Sequence, residues 1–123
     1  MNSSAIPFDL ENSPRILLVD DHTLLRSGVK LLLQRNPLFQ VVGEASNGLD
    51  GVRLTAELLP DVVLMDLNMP GVSGVEALQL ILQDMPQMVV LMLTVSENAA
   101  DLGAALRAGA RGYLLKNIEA EQL

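Results

Sequence analysis

Short runs of branched apolar residues recur along the chain at 15–20 (RILLVD), 40–44 (QVVGE), 62–66 (VVLMD), 88–94 (MVVLMLT) and 112–115 (GYLL). Runs that are apolar at odd and even positions alike predict strands buried on both faces, as in a parallel sheet. The segments between them carry helical spacing. Leu25, Val29, Leu32 and Leu33 share one face; so do Leu49, Val52, Ala56 and Leu59, and then Val75, Leu78, Leu82 and Met85. Leu102, Ala105 and Leu106 mark a fourth, alanine-rich helix. Asn36-Pro37, Pro60, Pro86 and Gly109 interrupt the pattern where helices should stop. Ser73 and Glu76 have the spacing of a capping box, the serine at the N-cap and the glutamate at the third helical position.

Strand then helix, repeated, predicts an α/β domain whose parallel strands are joined by right-handed crossovers. Five strands and four full helices fill residues 15–118. Residues 119–123 (EAEQL) read as the first turn of a fifth helix that is largely missing, which suggests a fragment of a longer protein. Residues 1–14 are polar, contain Pro7 and Pro14, lack periodicity and are expected to form a flexible tail, leaving 15–123 as the folded domain.

Composition narrows the picture. Half of the 123 residues are apolar, yet Phe8, Phe39 and Tyr113 are the only aromatic residues, so the core must be aliphatic. No apolar run reaches the roughly 18–20 residues of a bilayer span, and the N-terminus lacks the basic start and apolar block of a signal peptide. The absence of cysteine excludes disulfides and thiolate metal sites and fits a cytoplasmic protein. A formal charge of −7 with scattered lysines and arginines argues against direct nucleic-acid binding by this chain.

In an open parallel sheet, ligands bind outside the carboxyl ends of the strands. Asp20 and Asp21 end the first run, Asp66 the third, Thr94 the fourth and Lys116 the fifth, so these groups should converge at one edge. Glu44 ends the second, but its place in the sheet does not follow from this pattern. Taken singly, each has an ordinary explanation: an acidic pair can cap a helix, Asp66 can close a turn, and a lysine can sit on the surface. His22 is read in that way, as a helix-start residue. Together, three close carboxylates demand a compensating cation or Lys116. Oxygen donors suit Mg²⁺, which keeps waters for incoming phosphate oxygens, and a carboxylate can attack phosphorus to give an aspartyl phosphate.

With these residues in place, the chain resembles the receiver domain of two-component response regulators. The resemblance runs through "LLVDDH", "VVLMDLNMPGVSG", "LMLTVS" and "GARGYLLK" and covers residues 15–123; "VVGEASNG" and "DLNMPG" resemble most the NarL/FixJ subfamily and its nitrate/nitrite regulators. It implies a flavodoxin-like, doubly wound five-stranded parallel sheet of order 2-1-3-4-5. It makes Asp66 the phosphoacceptor, Asp21 a direct Mg²⁺ ligand, Asp20 its neighbour acting through water, and Asn68 a ligand through its backbone carbonyl. Thr94 and Lys116 would bind the phosphoryl group, and Tyr113 would change rotamer with the threonine. A sensor histidine kinase would be the donor. An output domain outside this chain would bind promoter DNA, and loss of the fifth helix would favour a homodimer of the fragment. Two positions depart from the family: Asn117 follows the lysine where proline is frequent, and Val95 follows Thr94 where alanine is, which should restrict access to the site.

Two other classes compete. A haloacid-dehalogenase-like phosphatase would also use an aspartate after a parallel strand, but it needs a second acid where this chain has Asn68, and a cap for which there is no spare length. A receiver-like module that is never phosphorylated would have no need of Asp20, Asp21, Asp66, Thr94 and Lys116 together.

Overall fold

The computed structural model describes residues 14–94 and 99–115. The predicted alternation is present throughout them: β1 (Arg15–Val19), α1 (Thr23–Gln34), β2 (Gln40–Ala45), α2 (Gly48–Leu58), β3 (Val62–Asp66), α3 (Gly74–Asp84), β4 (Val89–Thr94), α4 (Ala99–Ala108) and β5 (Gly112–Leu115). All pairings are parallel, and the strand order is β2-β1-β3-β4-β5. This is the flavodoxin-like order, with the chain reversing direction across the sheet beside β1. Residues 1–13 of the expected tail, Val95, Lys116, Asn117 and the helical turn at 119–123 lie outside the described residues.

Odd and even positions of the central strands divide the core in two. Leu17, Val19, Val63, Met65, Val90 and Met92 point to one face and pack against α2, α3 and α4, chiefly through Ala77, Leu78, Ile81, Leu102 and Ala105. Ile16, Leu18, Leu64 and Leu93 point to the other, against Val29 and Leu33 of α1. Both faces are aliphatic, so period-2 alternation places apolar side chains on either side of the sheet. Ser73 and Glu76 form the reciprocal cap: the serine hydroxyl accepts from the Glu76 amide at 3.2 Å, and the Glu76 carboxylate accepts from the Ser73 amide at 3.0 Å. Among the described residues, no helix is long and apolar enough to cross a membrane.

Two helical faces differ from expectation. Leu49, Ala56 and Leu59 of the predicted α2 face are exposed, the two leucines at 60% and 61%. The face that packs is Gly48, Gly51, Val52, Thr55 and Leu58. Small residues let this helix press against the sheet: a Cβ at Gly51 would stand 2.9 Å from the Val19 methyl groups. Thr55 is buried because its hydroxyl donates to the Gly51 carbonyl at 2.7 Å, leaving its methyl for packing. Leu59 is the left-handed residue (φ 50°) that ends the helix, so its side chain turns outward. In α4, Leu102 and Ala105 are buried while Leu106 is 46% exposed.

β2 contains one irregularity. Ile16 pairs with Val41 but Leu17 pairs with Gly43, so Val42 is an extra residue on the β2 side. Such a bulge bends and further twists its strand.

Candidate functional site

The same local device builds both acidic ends of the sheet. After β1, the Asp20 amide still donates to the Ala45 carbonyl of β2 (3.0 Å), and the Asp20 carboxylate then accepts from the His22 amide two residues on (2.9 Å). After β3, the Leu67 amide donates to the Leu93 carbonyl of β4 (2.8 Å), and the Asp66 carboxylate accepts from the Asn68 amide (3.1 Å). An aspartate that hydrogen-bonds its own backbone two residues ahead turns the chain sharply. Each turn therefore holds one carboxylate at the sheet edge and sends the chain away toward the next helix. Gly71 (φ 77°) and the capping box complete the passage from Asp66 into α3.

The result is a compact group of donors. Asp20, Asp66 and Thr94 are buried, each at 2% exposure or less. Asp20, Asp21, His22 and Asp66 each offer a ligating atom, and these atoms all lie within 4.8 Å of one another. Asp21 Oδ1 is buried and accepts no hydrogen bond. Burying a carboxylate oxygen is costly unless something positive meets it, and an oxygen-rich donor set is the chemistry of a hard dication. The residues present fit Mg²⁺.

Of the sequence-predicted residues, Asp20, Asp21 and Asp66 come together. Asn68 adjoins them through its amide. Thr94 sits at the end of β4, one residue past the Asp66–Leu93 pairing. Tyr113 lies on β5 opposite Met92 and is 42% exposed. The position of Lys116 is outside the described residues.

The structure adds His22. It is the N-cap of α1, as a helix-start residue should be, but its side chain makes no capping bond. Its Nδ1 instead lies 3.2 Å from Asp20 Oδ1, 3.3 Å from Asp21 Oδ1 and 3.8 Å from Asp66 Oδ2. The available signal was its place directly after the acidic pair, inside the turn that Asp20 closes.

Glu44 stands apart from this group. Lys30 (2.9 Å) and Arg26 (3.1 Å) of α1 bind its carboxylate, and Arg26 also donates to the Asp20 carbonyl at 2.6 Å. The hydrogen bond from Lys30, seconded by that from Arg26, holds the Glu44 carboxyl below its ordinary value of 4.5 despite partial burial, which pushes the other way. A carboxyl lowered in the folded state contributes stability above its unfolded value and loses it as pH falls through the folded one. Glu44→Gln should therefore cost about 1 kcal/mol or less near neutrality, as for other partly exposed ion pairs. The gap from wild type should close as the pH drops below 4.5. Urea unfolding of both proteins at several pH values checks this; a gap that persists in acid contradicts it.

A parallel sheet of order 2-1-3-4-5 with acids at the ends of β1 and β3 and a buried threonine at the end of β4 is the architecture of a signalling receiver. The model of the response regulator receiver domain matches residues 16–123, and the chain belongs to that family. Within the family it is a NarL-type receiver. It is 47% identical over 108 residues to the nitrate/nitrite response regulator protein NarL of Escherichia coli K12, covering 88% of this chain and 50% of that protein. It is 42% identical over 113 residues to the transcriptional regulatory protein DegU of Brevibacillus brevis, covering 92% of this chain and 48% of that one. The chain thus spans about half the length of these relatives. Among solved structures, a LuxR-family two-component response regulator from Aurantimonas sp. SI85-9A1 superposes with a TM-score of 0.84 at 38% identity, covering 89% of this chain and 79% of that one. The isolated receiver domain of RcsB from Salmonella enterica serovar Typhimurium, solved with the phosphomimetic BeF₃⁻, gives 0.80 at 27% identity, covering 89% and 81%. Receiver domains are signalling phosphoacceptor domains rather than classical enzymes.

Proposed function

We propose that this receiver accepts a phosphoryl group on Asp66 from a sensor histidine kinase. The convergence of Asp20, Asp21 and Asp66 within one 4.8 Å group of ligating atoms carries the reading. Asp21 and Asp66 would hold Mg²⁺ directly, with Asp20 acting through water and Asn68 through its backbone carbonyl. The ion supplies neutralisation of the phosphoryl oxygens.

A carboxylate oxygen of Asp66 attacks phosphorus, and the bond between phosphorus and the donor imidazole nitrogen breaks. The product is an acyl phosphate, and the departing imidazole takes up a proton. The Asn68 amide holds the other carboxylate oxygen in place. The Thr94 hydroxyl and Lys116 then bind phosphoryl oxygens, and Tyr113 follows the threonine, biasing α4 and β5 between two arrangements. Promoter binding belongs to an output segment outside this chain, in keeping with the match to half the length of the relatives and with the charge of −7. Pairing of two copies would be one consequence of phosphorylation, and the setting is cytoplasmic.

The test is to locate the phosphate. Protein incubated with acetyl phosphate and Mg²⁺, then reduced with borohydride and digested, should carry the modification on the peptide containing Asp66 and only when Mg²⁺ is supplied. Modification elsewhere, or uptake indifferent to the ion, overturns the assignment.

A further inference from the structure

We propose that His22 is a fourth donor at the acidic site and makes it bind a divalent transition ion, of the Mn²⁺, Co²⁺ or Zn²⁺ class, more tightly than Mg²⁺. The inference rests on the reading that Asp20, Asp21 and Asp66 hold a dication, and it concerns which ion they hold.

Two observations carry it. The first is distance. An ion bound at about 2.0–2.2 Å by each donor keeps neighbouring donor atoms about 3 Å apart and opposite ones about 4.4 Å apart. His22 Nδ1 stands 3.2, 3.3 and 3.8 Å from oxygens of the three aspartates, and the whole set falls within 4.8 Å. The nitrogen already has the separations of a co-ligand.

The second is what the ring does otherwise. His22 occupies the N-cap of α1 without capping it, and its side chain is 62% exposed; what holds the ring is the hydrogen bond between Nδ1 and Asp20 Oδ1 at 3.2 Å, so it is tied to a carboxylate of the site rather than to the helix.

The consequence for selectivity is chemical. Mg²⁺ demands oxygen ligands and retains its waters, so it has little use for an imidazole. Mn²⁺, Co²⁺ and Zn²⁺ accept nitrogen, with affinity rising through the divalent series. Three carboxylates without the ring would suit the first ion; the ring moves the preference toward the second group.

The experiment compares Co²⁺, read through its visible d–d absorption, with Mg²⁺, read through thermal stabilisation. It uses wild type, His22→Ala, His22→Gln and Asp21→Asn at about pH 8, because an imidazole coordinates when neutral. Wild type should bind Co²⁺ more tightly than Mg²⁺. Both His22 variants should weaken Co²⁺ by roughly 10- to 100-fold, change the Co²⁺ spectrum, and leave Mg²⁺ affinity as it was. Asp21→Asn should weaken both ions. Equal weakening of both ions by the His22 variants would make the ring a support for the carboxylates, and unchanged Co²⁺ binding would make it a bystander; either overturns the proposal while the dication reading stands. A wild type that binds neither ion removes the dication reading and this proposal together.

Discussion

Asp66→Asn is expected to abolish phosphoryl uptake from acetyl phosphate, by roughly 10³-fold or more, while the protein stays folded. The reduction follows from chemistry: an amide oxygen carries no charge and is a poor nucleophile, and removing the atom that forms the covalent bond removes the step. The persistence of the fold follows from geometry. The Asn68 amide donates to Asp66 Oδ1 at 3.1 Å, and an asparagine oxygen accepts that bond equally well. The turn after β3 therefore survives, and circular dichroism should be unchanged. Uptake by Asp66→Asn at the wild-type rate would show that phosphate goes elsewhere. Loss of uptake accompanied by unfolding would show that the charge itself holds the turn.

Gly74→Ala should be the most damaging single methyl group in the described residues. Gly74 is the first residue of α3, and a Cβ there would lie 2.2 Å from the Asp66 carbonyl oxygen and 2.8 Å from both Cα and the carbonyl oxygen of Leu67. All three obstacles are backbone. The Leu67 carbonyl is further tied by the Gly74 amide at 3.1 Å, so the helix cannot slide away without losing that bond. Overpacking against flexible side chains costs about 1–3 kcal/mol; against backbone the upper end, about 3 kcal/mol, is expected. Gly28→Ala in α1 is the matched control, since nothing lies within 4 Å of its added Cβ. There the better helix propensity of alanine should stabilise by up to about 1 kcal/mol. Urea unfolding of both variants decides the matter, and equal effects at the two positions would contradict the packing account. Because α3 begins where the Asp66 turn ends, Gly74→Ala should also slow phosphorylation.

The strands were legible because their physics is local. A run such as Val62–Asp66 is apolar at odd and even positions and ends in an acid, and parallel sheets place such acids at the ligand-binding edge. The capping box at Ser73 was equally plain. The second helical face was not, because Gly48, Gly51 and Thr55 pack by closeness and by an internal hydrogen bond rather than by hydrophobicity. His22 is the helix-start residue that the pattern indicates, but the spacing does not say that its ring turns back to Asp20 and Asp21 and comes within 3.8 Å of Asp66, 44 residues further along the chain. The partners of Glu44 likewise come from α1, and no spacing within β2 announces them.

The extra residue in β2 has a consequence for parity. Val41 packs with Ile16, Leu18 and Val29 on the α1 side of the sheet, and Glu44 meets Arg26 and Lys30 of the same helix. Positions separated by three belong to opposite faces of a regular strand, yet here they share one. Val42 is the half-period slip that makes this possible: below it β2 alternates in one phase, above it in the other. β2 is thus two short strands in antiphase. Its odd step delivers an acid to the helix that also grips the carbonyl of Asp20.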